Sequence, residues 1–218
     1  MKAKKFFILM GLILFMGITQ IDAQDPFEGK VSYNTSIKGG TENVVMDYYM
    51  KGGQVRTETK YDNATQVMIM KEGKTFMIMP EQKIYMEFIK PDEEMTETKE
   101  PEVKVVKTDE TQNILGYNCT KWIVNSKEGN TEMWLASGIG QYMFVGNPMA
   151  HQEASWQEGL ENTDFFPLLI ITKDKNGSEI FRQEATEIKK ESLSDDLFAV
   201  PEGYQKMSMP GMPAKPKK

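Results

Sequence analysis

From residue 27 to residue 89 the chain runs in short extended stretches of mixed apolar and polar residues, broken at intervals by turn formers. The stretches are 27–37, 43–50, 54–61, 65–71, 74–79 and 83–89, and the breaks are Gly39-Gly40, Gly52-Gly53, Asp62-Asn63, Glu72-Gly73 and Pro80-Glu81-Gln82. Turn residues in connections this short join consecutive strands as antiparallel hairpins. The pattern resumes at 103–108, 119–126 and 131–136, the last two linked by Lys127-Glu128-Gly129-Asn130, and ends in a hairpin of 165–172 and 178–189 around Asp174-Lys175-Asn176-Gly177. Between 143 and 162 the period changes: Met149, Trp156 and Leu160 recur at helical spacing and predict one helix, while 192–198 predicts a short helical turn. Ten or eleven strands with one or two helices make a mainly β, α+β domain, built as one strongly curved antiparallel sheet or a half-open barrel.

The central strands depart from simple alternation. Met68 and Met70, Met77 and Met79, and Met86 in the following stretch fall at alternate positions, which place them on one face of adjacent hairpin strands. The opposite positions, Val67, Ile69, Phe76 and Ile78, are apolar as well. A sheet with one wet face alternates apolar with polar, so both faces of these strands are expected to be covered. One expectation is plain core packing on both sides. The other is that the methionine face lines an apolar pocket, because an unbranched, polarisable side chain repacks around varied ligands. At ~0.8 kcal/mol per buried methylene, an acyl chain of about 14 methylenes gains roughly 11 kcal/mol before association costs, so such a site needs no charged anchor.

The ends of the chain and its composition narrow the setting. Lys2, Lys4 and Lys5 precede an apolar run at 6–18, and Ala23 precedes Gln24, the layout of a cleavable secretory signal over residues 1–23. The run is shorter than the ~20 residues a membrane-crossing helix needs, and no cysteine stands at the junction to carry a lipid. A soluble periplasmic or secreted domain over 24–205 is the expectation, followed by an unstructured Met-, Pro- and Lys-rich tail at 206–218. Removing the signal takes the formal charge from −6 to −8 and leaves 14 of the 17 methionines, a balance that excludes a nucleic-acid footprint. Pro91-Asp92 and the carboxylates up to Glu102 read as a solvated acidic loop. Four Asn-x-Ser/Thr matches, at Asn34, Asn63, Asn118 and Asn176, carry no weight in a bacterial secretion context.

Chemistry-bearing residues are sparse. The one cysteine, Cys119, is expected to be buried and inert, and the one histidine, His151, excludes every His-paired metal site. His151 and Ser155 share a helical spacing but lack an orienting acid, and Glu132 with Asp164 offers a carboxylate pair with no reason to converge. The pattern therefore predicts no enzyme and no cofactor. A soft-metal reading rests on Met207, Met209 and Met212 in the tail, since thioethers favour Cu(I). The tail lysines could also touch an anionic membrane surface or an envelope protein, and a ligand-free assembly scaffold with a closed core is a further alternative.

The run Tyr49-Met50-Lys51-Gly52-Gly53-Gln54-Val55-Arg56-Thr57-Glu58, then Met79-Pro80-Glu81-Gln82-Lys83-Ile84-Tyr85, resembles a secreted bacterial family known as domain of unknown function 4412. Gly116-Tyr117-Asn118-Cys119-Thr120-Lys121, Glu132-Met133-Trp134-Leu135-Ala136, Phe166-Pro167-Leu168 and Leu197-Phe198-Ala199-Val200-Pro201-Glu202-Gly203-Tyr204 extend the likeness over most of 27–212. That family is more distantly similar to the Lol-type periplasmic lipoprotein carriers, whose half-open barrel with a helical lid holds acyl chains. The resemblance implies a half-barrel with a helical lid. It carries over no catalytic or ligand residue. Together these readings predict a non-enzymatic envelope carrier that holds a lipid or another apolar small molecule against Met68, Met70, Met77, Met79 and Met86, with Trp156 on the lid.

Overall fold

The computed structural model describes residues 26–39, 44–61, 64–89, 104–126, 129–143 and 163–207. Twelve strands form a single sheet: β1 (Gly29–Ile37), β2 (Val44–Lys51), β3 (Gln54–Tyr61), β4 (Ala64–Lys71), β5 (Lys74–Met79), β6 (Ile84–Ile89), β7 (Lys104–Ile114), β8 (Tyr117–Ser126), β9 (Gly129–Ser137), β10 (Phe165–Asp174), β11 (Glu179–Lys190) and β12 (Gln205–Lys206). The order across the sheet is β12-β6-β5-β4-β3-β2-β1-β11-β10-β9-β8-β7. Two antiparallel meanders, β1–β6 and β7–β11, are thus joined where β1 pairs with β11, and only β12 runs parallel to its neighbour. The close approach at this seam needs glycine: a Cβ on Gly29 would stand 2.1 Å from the Lys189 carbonyl oxygen.

The order puts β6 and β7, consecutive in sequence, near opposite edges. Ten inter-strand gaps separate them, about 48 Å in a flat sheet at ~4.8 Å per gap. The fourteen residues between Ile89 and Lys104 would have to run almost fully extended to cross that span, since a residue reaches at most ~3.6 Å. Curling the sheet removes the conflict. Contacts across the inner face record the curl directly: the Tyr48 ring of β2 meets the Phe166 ring of β10 edge-on, with centroids 5.4 Å apart, over the two intervening strands. Tyr33 Oη likewise donates to the Pro167 carbonyl, 2.8 Å away.

Both faces of the central strands are covered, as their two-sided apolar pattern predicts. The inner face holds the main core, with Val31, Tyr33, Tyr48, Val55, Met133, Leu135, Phe166 and Ile170 at most 1% exposed. The outer face of β4 and β5, through Val67, Ile69 and Ile78, packs against Leu193, Phe198 and their neighbours in the C-terminal segment. That segment contains the 3-10 turn Asp195–Phe198, which the expected helical turn at 192–198 anticipates, and Ser194 caps it by accepting from the Asp196 N–H. Two cations from the turn-bearing run at 51–56 clamp the segment down. Arg56 Nη1 donates to the Leu197 carbonyl at 2.9 Å, and Lys51 bonds the Leu193 carbonyl while pairing with Asp195 at 2.8 Å.

Three departures from the sequence pattern follow from the topology. β7 runs on to Ile114, past the expected end at 108, through the polar stretch Thr108-Asp109-Glu110-Thr111. It is an edge strand with a register shift between Lys107 and Thr111, and an edge needs no alternating apolar face. The sheet also takes in Gln205–Lys206, where the pattern predicts the start of the tail. The helix expected at 143–162, with its lid role, lies outside the described residues apart from Met143. Among the described residues, helix is confined to two 3-10 turns, Pro80–Gln82 and Asp195–Phe198.

Candidate functional site

β2 and β3 are joined by Gly52-Gly53, both at positive φ (53° and 78°), the conformation that matches the twist of a two-residue hairpin. The turn carries Met50 and Val55 opposite each other on the inner face, and Lys51 opposite Gln54. A second segment meets this end of the sheet. After β9 the chain turns at Gly138 (φ 85°) and Gly140 (φ 109°) and lays Ile139 and Tyr142 across the inner face, where both are buried. Tyr142 stacks on Tyr48 with centroids 5.1 Å apart and 19° between planes, and meets Phe166 edge-on at 5.2 Å.

One hydroxyl fixes the crossing. Tyr48 Oη donates to the Met143 carbonyl at 2.8 Å and accepts from the Met143 N–H at 3.0 Å, so both backbone groups of a chain segment that belongs to no strand are satisfied. Burial pushes the Tyr33, Tyr48 and Tyr142 hydroxyls well above the ordinary tyrosine range, which keeps all three neutral donors.

Between this wall and the hairpin lies an open cleft of about 380 Å³. Phe27, Met50, Val55, Ile139 and Met143 give it an apolar lining. Gln54 and Asp164 add polar groups, and the Gln54 Oε1 is buried with no hydrogen-bond donor among the described residues. Lys51 borders the cleft, but its ammonium is committed to Asp195 and the Leu193 carbonyl. The arrangement suits an apolar chain.

The expected methionine face lies elsewhere. Met68, Met77 and Met86 are 4%, 3% and 8% exposed and cluster with Phe88, and Met79 packs against them half-buried. Met70 faces the main core instead. None of the five lines the cleft, and Trp156 lies outside the described residues. Glu132 does not meet Asp164 at a shared site: Glu132 is held by Lys121 at 3.3 Å and by Lys173, whereas Asp164 borders the cleft. Cys119 is fully buried, and burial pushes its thiol up to about 11, so it is protonated at neutral pH. The Gly52-Gly53 turn is visible in the sequence, but Gly138 and Gly140 stand in a stretch without apolar periodicity, and nothing there signals a wall.

The sequence profile of a family described as a domain of unknown function, DUF4412, matches residues 27–204. The chain belongs to the DUF4412 family. Lys51, Arg56 and the run Leu197-Phe198-Ala199-Val200, stretches that carry the likeness, are the two sides of the C-terminal clamp. No curated protein sequence matches this DUF4412 chain. Among solved structures it is similar to an uncharacterized conserved protein from Thermus thermophilus, with 10% identity, 84% of this chain and 91% of that chain covered, and a TM-score of 0.55. It is also similar to Pseudomonas aeruginosa MucB in the MucA/MucB complex, with 11% identity, 84% and 58% coverage and a TM-score of 0.47. A third likeness is to an outer membrane lipoprotein-sorting protein domain from Vibrio parahaemolyticus, at 7% identity, 79% and 89% coverage and a TM-score of 0.33. The Thermus likeness shows a shared fold for the DUF4412 sheet.

Proposed function

We propose that the protein is a non-enzymatic binding protein of the bacterial cell envelope, released by cleavage after residue 23, that takes a single apolar chain such as an acyl group into the cleft between the Gly52-Gly53 hairpin and residues 138–143. The observation that carries this reading is the cleft itself, lined by Phe27, Met50, Val55, Ile139 and Met143. Its volume of about 380 Å³ stands at the small end of ligand pockets, room for one chain rather than a whole bilayer lipid. Ten buried methylenes would contribute about 8 kcal/mol, of which association costs take at least about 4. The remainder corresponds to roughly millimolar affinity, so release is easy. Among the described residues the lining holds no serine, cysteine or histidine.

Native mass spectrometry of the mature protein, with fatty acids and lysolipids titrated into the millimolar range, tests this. A one-to-one adduct is expected, lost in Phe27→Asp at the cleft and retained in Met79→Asp on the methionine face. Retention in Phe27→Asp with loss in Met79→Asp would move the seat to the methionine face. An apo mass after incubation with fatty acids and lysolipids would favour a closed-core scaffold.

A further inference from the structure

The methionine face asks for an explanation that packing does not give. Met68 stands directly opposite Met77, and Met77 directly opposite Met86, on three adjacent antiparallel strands. On the other face of β4 and β5 the chain uses Val67, Ile69 and Ile78, the β-branched residues that suit a buried strand. Methionine is a weaker choice for a strand core, being flexible and poorly specifying. Met46, Met50, Met70 and Met133 belong to the main core, but among the described residues only in this row do methionines stand directly opposite one another.

Directly opposite residues of a pair have Cβ atoms about 5 Å apart, and a thioether sulfur lies two bonds further on rotatable single bonds. Three sulfurs from consecutive strands can therefore converge on one point. A fourth extends the row. β12 pairs in parallel with β6, Lys206 lies against Tyr85 and bonds Glu87 on the outer face, and the Met207 N–H donates to the Tyr85 carbonyl at 2.8 Å. Met207 thus follows in register beside Met86 on the methionine side, and it is 46% exposed. The row begins buried at Met68, oriented by a contact from Gln66 Nε2 to its sulfur at 3.8 Å, and ends at solvent. No group of three His, Cys, Asp or Glu competes as a metal site among the described residues.

We propose that Met68, Met77 and Met86 form a thioether site for a soft monovalent cation of the Cu(I) or Ag(I) type, with Met207 at its mouth. Neutral thioethers select soft monovalent ions over the hard divalent ones that oxygen donors hold. Burial of the three side chains adds to that selection, because desolvating a single charge costs far less than desolvating two. This site is separate from the hairpin cleft and does not depend on it.

Silver nitrate is the probe, being redox-inert, added to the mature chain carrying Cys119→Ser so that no thiol competes. With methyl-labelled methionine, one equivalent of Ag(I) is expected to shift the Met68, Met77 and Met86 methyl resonances. The triple variant Met68→Leu/Met77→Leu/Met86→Leu conserves volume, so it is expected to fold with a native circular dichroism spectrum and to bind at least a hundredfold more weakly. Each single Leu variant, which spares folding if the triple does not, is expected to lose about tenfold. Met209→Leu/Met212→Leu is expected to bind as the parent does. Unchanged Ag(I) affinity in the single and triple Leu variants, shifts confined to other methionines, or loss of binding in the Met209/Met212 variant would overturn the proposal.

Discussion

At the scale of single residues, Tyr48 does two jobs. Its ring is an element of the inner-face stack with Tyr142 and Phe166, and its hydroxyl answers both backbone groups of Met143. The residue is completely buried, so removing the hydroxyl leaves an N–H and a carbonyl with no partner. Tyr48→Phe keeps the ring and isolates that effect. A loss of about 1–3 kcal/mol in urea unfolding is expected, together with faster amide exchange at 139–143 and weaker retention of ligand in the cleft that this segment walls. Equal exchange in variant and parent would show that the rings alone hold the crossing.

Among elements, the C-terminal segment shows how the covered outer face is achieved. Phe198 is 1% exposed on Ile69 and Ile78, and Arg56 and Lys51 pin the backbone ahead of it at Leu197 and Leu193. Phe198→Ala removes the largest side chain of that small cluster, and a cost of about 3–5 kcal/mol in thermal or urea unfolding is expected. Arg56→Ala should also lower stability, because it removes the Leu197 contact and leaves the Glu58 carboxylate, only 21% exposed, without its partner, and it should release the segment to proteolysis at 193–204 before the sheet unfolds. Much of this architecture is legible in the sequence. Gly52-Gly53, Glu72-Gly73 and the 174–177 turn announce hairpins because only certain residues accept those backbone angles, and the apolar residues on both faces of β4 and β5 announce two covers. What covers them is not legible, since the C-terminal segment is held by contacts such as Arg56 to Leu197, 141 residues apart in the chain, which no local propensity records. The same holds for the cleft. Its wall comes from Ile139 and Met143, placed by two glycines in a stretch with no period, whereas the methionine row, which is periodic, is read easily but does not line the cleft.

For the whole molecule, carboxylates at the outer surface tie neighbouring strands and turns within each half of the sheet. Lys173 and Lys121 hold the Glu132 carboxyl below its usual range across β8, β9 and β10; Lys206 and Lys74 do so for Glu87 across β12, β6 and β5; backbone N–H groups of Ser178 and Asn176 do so for Asp174, and Lys51 does so for Asp195. In each case the folded state binds its proton less readily than the unfolded chain. Their contribution is therefore complete above the unfolded value of about 4.3 and is lost as pH falls below it. Lys121, Lys206 and Lys51 shift upward, so their share is lost only above about pH 10. Urea midpoints should accordingly be level between pH 5 and 8 and fall steadily from about pH 4.5 to pH 2.5. Salt divides the acid limb in two. Asp195 is 78% exposed, where 1 M NaCl screens its pair with Lys51, but the Glu132 and Glu87 side chains are only 20% and 17% exposed between two lysines each, and Asp174 is held by backbone N–H groups, so these three should keep their pH dependence at high salt. Lys121→Met/Lys173→Met should then reduce what remains of the limb in 1 M NaCl, and adding Lys74→Met/Lys206→Met should reduce it further. An unchanged limb in the combined variant would assign the acid sensitivity to carboxylates elsewhere on the sheet.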